Sequence, residues 1–219
     1  MPLLLHKEIE NGEIGLWKIT EEIDQLLHLA KLSEPDLVNY SEISALHRKK
    51  EWLATRALLI QLIKKQVQIK YFNDGKPYLE NGLPNISISH TKGFVSIMLH
   101  QTAIPGIDIE HLSRQVGKVA SRFLSSEEMD LCRQREEYSN FHLLLHWCAK
   151  EAIFKMVPYS NIEFSTDMQI LINDSSLVTG SFCGIFNGSV SQDYIPLNYI
   201  LVDGIVMVWG ILGELNHST

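Results

Sequence analysis

Two carboxylates, Asp108 and Glu110, stand in the segment Ile104-Pro-Gly-Ile-Asp-Ile-Glu110. The Pro-Gly pair predicts a turn, and the alternation after it predicts a short strand in which both carboxylates share one face. Neighbouring carboxylates repel and raise each other's pKa, and a bound divalent cation removes that conflict. Magnesium suits such a site, because it takes a few carboxylate oxygens and leaves positions for water and phosphate. An exposed edge strand with its polar side chains facing solvent is the alternative interpretation.

A second group of charges lies in Trp147-Cys-Ala-Lys-Glu-Ala-Ile-Phe-Lys155, which has the pattern of a helix. Glu151 and Lys155 are four residues apart, so they share one face of that helix. An ordinary salt bridge explains this spacing. A third metal carboxylate beside a lysine that holds a phosphate also explains it, and the spacing alone leaves both interpretations open.

The segment Ser87-Ile-Ser-His-Thr-Lys92 brings hydroxyls, an imidazole and an ammonium group to the tip of a predicted hairpin. Adjacent strand residues point to opposite faces, so we do not expect His90 to activate Ser89 as a nucleophile. The same donors suit the oxygens of a phosphate group. A polar turn without a ligand remains the other interpretation.

Basic residues are concentrated in two stretches, although the net charge of the chain is −7. The first stretch contains Arg48, Lys49, Lys50, Arg56, Lys64, Lys65 and Lys70. The second contains Arg114, Lys118, Arg122, Arg133 and Arg135. Each stretch is either a solvated helix face, or a site for phosphate or for an acidic partner. The net negative charge argues against a general nucleic-acid binder.

The composition also limits where the protein works. The chain has 219 residues, of which 45% are hydrophobic, enough for one large core or two small lobes. We read no secretory signal at the N-terminus, and no apolar run approaches the roughly 20 residues that span a bilayer. The three cysteines form no C-x-x-C pair, which favours a reduced compartment. We therefore expect a cytoplasmic protein that does not bind membranes.

Apolar periodicity predicts two long helices, over Ser44–Lys65 and from about Tyr138 to Met156. The pattern His47-x4-Trp52-x-Ala54-x2-Ala57 in the first helix matches His142-x4-Trp147-x-Ala149-x2-Ala152 in the second. Arg56 aligns with Glu151 in this repeat. A strand, a glycine turn and a second strand also recur, over Ile86–Met98 and Asn198–Val208.

Two kinds of element recurring in the same order indicate an internal duplication. We therefore predict an α+β fold with two similar lobes in one chain, related by a pseudo-twofold axis and spanning residues 1–103 and 104–219. Each lobe is expected to pack helices on a small, mainly antiparallel sheet. The seam between two such lobes is the natural place for a ligand.

The ordered motifs resemble those of the phosphopantetheinyl transferases of the surfactin-synthetase-activating type. They are the basic helix, Gly75-Lys-Pro77, Ser89-His90, Gly106-Ile-Asp-Ile-Glu110 and Trp147-x2-Lys-Glu-Ala-x2-Lys155. The family fold, two similar lobes with the active site between them, agrees with the repeat. The resemblance spans roughly Arg48 to Lys155.

This resemblance implies a holo-[carrier-protein] synthase (EC 2.7.8.7) that acts as a monomer with Mg²⁺. Such an enzyme moves 4′-phosphopantetheine from coenzyme A to a serine of an acyl or peptidyl carrier protein and releases adenosine 3′,5′-bisphosphate. The carriers of fatty acid, polyketide or nonribosomal peptide synthesis are its substrates.

The resemblance also implies roles for single residues. In the C-terminal lobe, the metal ligands are Asp108, Glu110 and Glu151, Lys155 binds phosphate, and Glu128 is the candidate general base. The base assignment stays open, because Glu127 is adjacent and Glu151 is able to act through a water. In the N-terminal lobe, the groups on the coenzyme A side are Ser89 and His90 at the phosphates, Lys76-Pro77 near the adenine, and Arg48 or Arg56 at the 3′-phosphate.

The sequence departs from the family pattern at two places. No glycine-rich stretch follows Lys155, and the segment before the first long helix is acidic around Glu34, Asp36 and Glu42 instead of basic. A non-catalytic module that binds coenzyme A or a carrier protein is the main alternative. A metal-dependent nuclease is less well supported. The usual Glu-x-Lys arrangement of such enzymes is missing, because Glu110 is followed by His111 and Leu112. Acidic carriers are expected to use the basic stretch Arg114–Arg135.

Overall fold

The computed structural model of the chain describes residues 3–80, 82–134, 139–158, 161–172, 176–188 and 192–213. The chain forms two compact units, Met1–Ala103 and Ile104–Thr219, called here the N-terminal unit and the C-terminal unit. None of the described helices combines the length and the apolar character needed to cross a membrane.

The N-terminal unit packs three helices and a four-stranded antiparallel sheet. Its elements are β1 (Leu3–Ile9), β2 (Gly12–Lys18), α1 (Ile23–Ala30), α2 (Glu34–Glu42), α3 (Leu46–Ile63), β3 (Lys70–Tyr71), β4 (Pro77–Tyr78), β5 (Asn85–Thr91) and β6 (Phe94–His100). The strand order is β1-β2-β6-β5, while β3 and β4 form a separate short hairpin. Leucine and alanine side chains along α3 are buried against β2 and β6, so the helix is held by its packing.

The C-terminal unit packs one long helix on a five-stranded antiparallel sheet. Its elements are β7 (Ile104–His111), a 3-10 helix (Gly117–Arg122), α4 (Ser126–Gln134), α5 (Ser139–Met156), α6 (Phe164–Asp167), β8 (Met168–Leu171), β9 (Thr179–Asn187), β10 (Gln192–Val202) and β11 (Ile205–Leu212). The strand order is β7-β11-β10-β9-β8. Helix α5 packs on β7 and β11, which form one edge of the sheet.

The two units share a connectivity within their sheets. In each unit a strand, β2 or β7, precedes the long helix and pairs with the second strand of a later hairpin, β6 or β11. The first strand of that hairpin, β5 or β10, lies next. The predicted hairpins over Ile86–Met98 and Asn198–Val208 are therefore confirmed. The α+β class with small antiparallel sheets is also confirmed, while the pseudo-twofold axis stays a prediction.

The two predicted long helices are present with shifted bounds. Helix α3 begins two residues later than the predicted Ser44 and ends at Ile63, where Lys64 adopts a left-handed conformation with φ of 62°. Helix α5 ends at Met156, as Pro158 predicts. Tyr138, the predicted start of the second helix, lies outside the described residues.

Candidate functional site

The predicted metal ligands of β7 lie inside the C-terminal unit. Asp108 and Glu110 are buried, with 7% and 9% of their surface exposed, although β7 is an edge strand. The alternative of a solvent-facing polar edge is therefore wrong for these two residues. Carboxylates are rarely this buried without a partner of opposite charge or a metal.

A glycine brings helix α5 close to the carboxylates. A Cβ atom at Gly106 would collide with the carbonyl oxygen of Ala152 and with the side chain of Met156. The backbone of β7 therefore touches the helix at this point, and residues two and four positions further along share the same face of the strand. This face carries Asp108 and Glu110 toward the helix that holds Glu151 and Lys155.

Lys155 pairs directly with the first carboxylate. Its Nζ donates to Oδ1 of Asp108 at 2.9 Å and to the carbonyl oxygen of Ile107 at 2.7 Å. An i,i+4 salt bridge between Glu151 and Lys155, one of the two interpretations of their spacing, is not among the ion pairs found in the described residues. Tertiary packing on β7 has redirected the lysine to Asp108.

The charge of Asp108 contributes to raised pKa values of both Glu151 and Cys148. Burial raises the pKa of Glu151, the Asp108 carboxylate raises it further, and Lys155 and Arg114 partly oppose the shift. Burial also raises the pKa of the Cys148 thiol well above its usual range, and the charge of Asp108 and a hydrogen bond to it add to the shift. Cys148 is fully buried in α5 and was not identified by sequence reasoning.

Glu110 is held by an arginine of the second basic stretch. Arg114 forms an ion pair with Oε1 of Glu110, and its guanidinium carbon lies 5.0 Å from the centroid of the Trp147 ring. The other basic residues of this stretch are arranged differently: Lys118 and Arg122 are exposed on the 3-10 helix, and Arg133 pairs with Asp130 at 3.4 Å. Arg135 lies outside the described residues.

The donor set fits magnesium in its chemistry. All three predicted ligands are carboxylates, and Asp108 and Glu151 are close enough for their charges to interact. Within the described residues, however, no three acidic, histidine or cysteine side chains are gathered closely enough to hold a metal ion. Lys155 and Arg114 pair with two of the carboxylates instead. The magnesium site therefore stays a prediction.

Glu128, the candidate base, forms a buried ion pair with Lys150. Nζ of Lys150 donates to Oε2 of Glu128 at 2.6 Å, and the two side chains are 0% and 2% exposed. Backbone N–H groups of Ser125 and Ile170 donate to Oε2 and Oε1 at 2.9 and 2.8 Å. Both carboxylate oxygens of Glu128 are therefore engaged within the protein.

Lys150 joins four segments of the C-terminal unit. Besides Glu128, its Nζ contacts the carbonyl oxygens of Phe123, Phe164 and Met168 at 2.7, 2.9 and 2.8 Å. Burial lowers the pKa of Lys150, and the charge of Glu128 opposes that shift. Sequence reasoning placed Lys150 on one helix face with Trp147 and gave it no role, since nothing in the helical spacing points to partners so distant in sequence.

The N-terminal unit contains a pocket of about 680 Å³ at the start of helix α3. It is lined by Ile19, His47, Arg48, Lys50, Glu51, His90, Thr91, Lys92 and Gly93. Two of the predicted phosphate-binding residues thus meet here: Nη1 of Arg48 lies 3.2 Å from Nε2 of His90. Glu51 was not predicted as a site residue. The sequence did carry a signal for it, an acidic side chain three positions after Arg48 and next to a run of basic residues.

Arg56, the other candidate for the 3′-phosphate, is not part of this pocket. Its Nε donates to Oδ1 of Asp36 at 3.0 Å, and both side chains are buried. Its guanidinium carbon lies 3.1 Å from the centroid of the Trp52 ring. Burial lowers the pKa of Arg56, and the bond to Asp36 opposes the shift. Asp36 belongs to the acidic segment that departs from the family pattern, so this departure gives Arg56 an internal partner.

The remaining predicted residues lie elsewhere in the N-terminal unit. Ser89 is buried in β5 opposite Ser96 of β6. Lys76 and Pro77 follow the turn of the β3–β4 hairpin, where burial lowers the pKa of Lys76. None of the three is among the residues that line the pocket.

A protein-family model matches the part of the chain that carries the predicted metal ligands. Residues 105–195, less than half of the chain, match the model of the 4′-phosphopantetheinyl transferase superfamily. The match covers β7, α4 and α5, the elements that carry the carboxylates and the lysines. It supports this superfamily and, with it, phosphopantetheinyl transfer as the general activity. No curated protein matches the chain.

Proposed function

We propose that the chain is a magnesium-dependent transferase of the surfactin-synthetase-activating type. It moves 4′-phosphopantetheine from coenzyme A to a serine of an acyl or peptidyl carrier protein in the cytoplasm, as a monomer. The serine oxygen forms a bond to the phosphorus that carries the pantetheine. The bond from that phosphorus to the bridging oxygen breaks, and adenosine 3′,5′-bisphosphate leaves.

The observation that carries the proposal is the convergence of β7 and α5. The pair of Asp108 and Lys155, 2.9 Å apart, joins the two motifs within the segment that matches the superfamily. Asp108, Glu110 and Glu151 would hold Mg²⁺, which stabilises the charge that develops on the pyrophosphate oxygens. Lys155 is 26% exposed and carries a positive charge beside this position, which suits it to bind a phosphate oxygen.

Glu151 is the better candidate than Glu128 to take the proton of the attacking serine. Its side chain is only partly buried, so a water that relays the proton is able to reach it. Glu128 already accepts three hydrogen bonds through its two oxygens. In this proposal Glu128 holds Lys150 and the start of α4, and it does not touch the substrate.

The N-terminal unit is proposed to bind the nucleotide end of coenzyme A. Arg48 and His90 supply the donors for a phosphate in the pocket at the start of α3. Arg48 is preferred over Arg56, because its side chain is 56% exposed while that of Arg56 is 4% exposed and paired. The roles of Ser89 at the phosphates and of Lys76-Pro77 at the adenine stay predictions, since none of the three lines this pocket.

The decisive experiment is transfer of a fluorescent coenzyme A analogue to purified carrier proteins in the presence of Mg²⁺. We expect labelling by the wild type and at least a roughly hundredfold loss with Asp108→Ala, since the residue lies at the reacting centre. Asp130→Ala is the matched control, because Asp130 is an exposed carboxylate of the same unit. Equal labelling by Asp108→Ala and wild type would show that the proposed metal role is wrong.

The same assay separates the enzyme from a non-catalytic binding module. A module would bind coenzyme A without releasing adenosine 3′,5′-bisphosphate, with every carrier tested and at every Mg²⁺ concentration. Release that requires both carrier and Mg²⁺ supports the transferase. Testing fatty acid, polyketide and peptide carriers side by side also measures preference.

Carrier docking is proposed to use the exposed cations of the second basic stretch. Lys118→Glu combined with Arg122→Glu should slow labelling of an acidic carrier at low salt, because both side chains are exposed on the 3-10 helix. Arg114 is less suitable for this test, since it also holds Glu110. Unchanged rates in the double variant would exclude this surface.

A further inference from the structure

A carboxylate lines the pocket that is proposed to bind phosphate. Glu51 is buried in helix α3, and its side chain is 11% exposed. Its Oε2 lies 3.6 Å from Nη1 of Arg48 and 3.7 Å from Nδ1 of His90, which is ion-pair distance to both. A negative charge at this place repels a phosphate, so it requires an explanation.

His90 contacts both Arg48 and Glu51, each through a different ring nitrogen. Nη1 of Arg48 is 3.2 Å from Nε2. Because a guanidinium N–H only donates, Nε2 acts as the acceptor in this contact. The proton of a neutral ring then sits on Nδ1, the nitrogen that faces Glu51.

A phosphate in the pocket changes this arrangement. Arg48 forms a stronger hydrogen bond with a phosphate oxygen than with a neutral imidazole, so it turns from Nε2 to the ligand. Nε2 then takes a proton from the solvent and becomes a second donor to the phosphate. The Glu51 carboxylate beside Nδ1 stabilises the imidazolium that results.

We propose that Glu51 is a positioning residue that couples phosphate binding in this pocket to the uptake of a proton by His90. The proposal rests on the proposed function in one respect, that the pocket binds a phosphate of coenzyme A. It explains why an acidic residue is placed among cations: its charge is needed for the bound state of His90. The other titratable or charged residues around the pocket are His47 and Lys50 of α3 and Lys92 of the β5–β6 turn.

The test is calorimetric titration of the full chain with coenzyme A, without Mg²⁺ or carrier so that no transfer occurs. Repeating it in buffers of different ionisation enthalpy gives the number of protons taken up on binding. At about pH 7.5 a free imidazole is mostly neutral, so we expect clear uptake by the wild type. With Glu51→Gln we expect uptake to fall at least about twofold, since the imidazolium loses its carboxylate.

Three further variants serve as controls for the titration. Glu51→Asp retains the charge and should restore part of the uptake, whereas His90→Gln should leave only the protons that the phosphate itself binds. Glu13→Gln is the matched control, since Glu13 pairs with His6 at 2.7 Å away from the pocket, and its uptake should equal that of the wild type.

Different results of the titration test the coupling and the proposed function. Uptake in Glu51→Gln or in His90→Gln equal to that of the wild type overturns the coupling while leaving coenzyme A binding in place. His90 is 43% exposed at the end of β5, so its variant provides this result even where Glu51→Gln does not fold. Failure of the wild type to bind coenzyme A, with Mg²⁺ present as well as absent, overturns both the coupling and the proposed function.

Discussion

Helices α3 and α5 carry their charged residues in the same two kinds of environment. Each helix carries a buried ion pair among its described residues: Arg56 with Asp36 on α3, and Lys150 with Glu128 on α5. Each also has charged residues with more exposed side chains, Arg48 on α3 and Lys155 on α5. The buried pairs attach each helix to neighbouring segments, and the more exposed groups are the ones available to a ligand. Charge type alone therefore does not identify the functional residues.

The two buried pairs differ in what surrounds them. Lys150 has four oxygen partners and no exposed surface, while Arg56 has Asp36, the carbonyl of Trp52, the side chain of Tyr71 and the Trp52 ring. Removing one member of a buried pair leaves the other charge desolvated and uncompensated. Residues in the buried pairs and residues that are open to a ligand should therefore respond differently to substitution.

The largest effect is expected for Lys150→Met. It leaves the Glu128 carboxylate buried without its cation, which should lower the free energy of unfolding by about 3 to 5 kcal/mol. Urea denaturation measures the loss. The double variant Lys150→Met, Glu128→Leu should recover part of it, because no buried charge remains. Transfer activity in a stable double variant would show that neither residue acts in catalysis. An unchanged free energy of unfolding in Lys150→Met would show that the buried pair does not stabilise the fold.

Arg56→Met should lower the free energy of unfolding by about 3 kcal/mol, because Asp36 loses its buried partner. The matched control is Arg48→Met on the same helix, for which denaturation should show little change. A stable Arg56→Met variant that no longer binds coenzyme A would reverse the assignment and make Arg56 the phosphate ligand.

Gly106→Ala tests the contact between β7 and α5. The new Cβ meets the backbone of Ala152, and forcing the helix away should cost about 1 to 3 kcal/mol of stability. Transfer should fall further than this loss explains, since the carboxylates of β7 move relative to Glu151. Gly117→Ala is the control, because its nearest neighbour would lie 3.9 Å from the added atom. Normal activity in Gly106→Ala would show that the close contact is not required.

The smallest effect on stability is expected for Arg48→Gln, within about 0.5 kcal/mol of the wild type, since the side chain is more than half exposed. Binding of adenosine 3′,5′-bisphosphate should nevertheless weaken roughly tenfold, as expected for the loss of a charge-assisted hydrogen bond. Arg133→Gln, at an exposed arginine of the C-terminal unit, should leave this affinity unchanged. Equal affinities for Arg48→Gln and the wild type would remove Arg48 from the proposed site.

Much of the local structure was predictable because its signals repeat over a few residues. The period of the apolar residues predicted both long helices, and the glycine turns predicted the two recurring hairpins. The alternation in β7 also predicted that Asp108 and Glu110 share a face. Their burial was not predictable, because it depends on the close approach of α5 at Gly106.

The partners of the charged residues were the part that local spacing did not predict. The spacing offered Glu151, four residues away, as a partner for Lys155, and the lysine pairs with Asp108 of a different element. Glu51 was absent from the predicted site although it contacts both Arg48 and His90. A side chain four residues away offers only a few tenths of a kcal/mol, so a buried carboxylate on a neighbouring strand is the stronger partner.

By itself, the sequence determined the elements and the order of the charged motifs along them, because helix and strand periods act over neighbouring residues. It also determined which motifs resemble those of phosphopantetheinyl transferases. Only the tertiary structure decided which charges hold the fold and which are open to a ligand. The physical reason is desolvation: packing removes Arg56, Glu128 and Lys150 from water and requires each to find a partner far away in sequence.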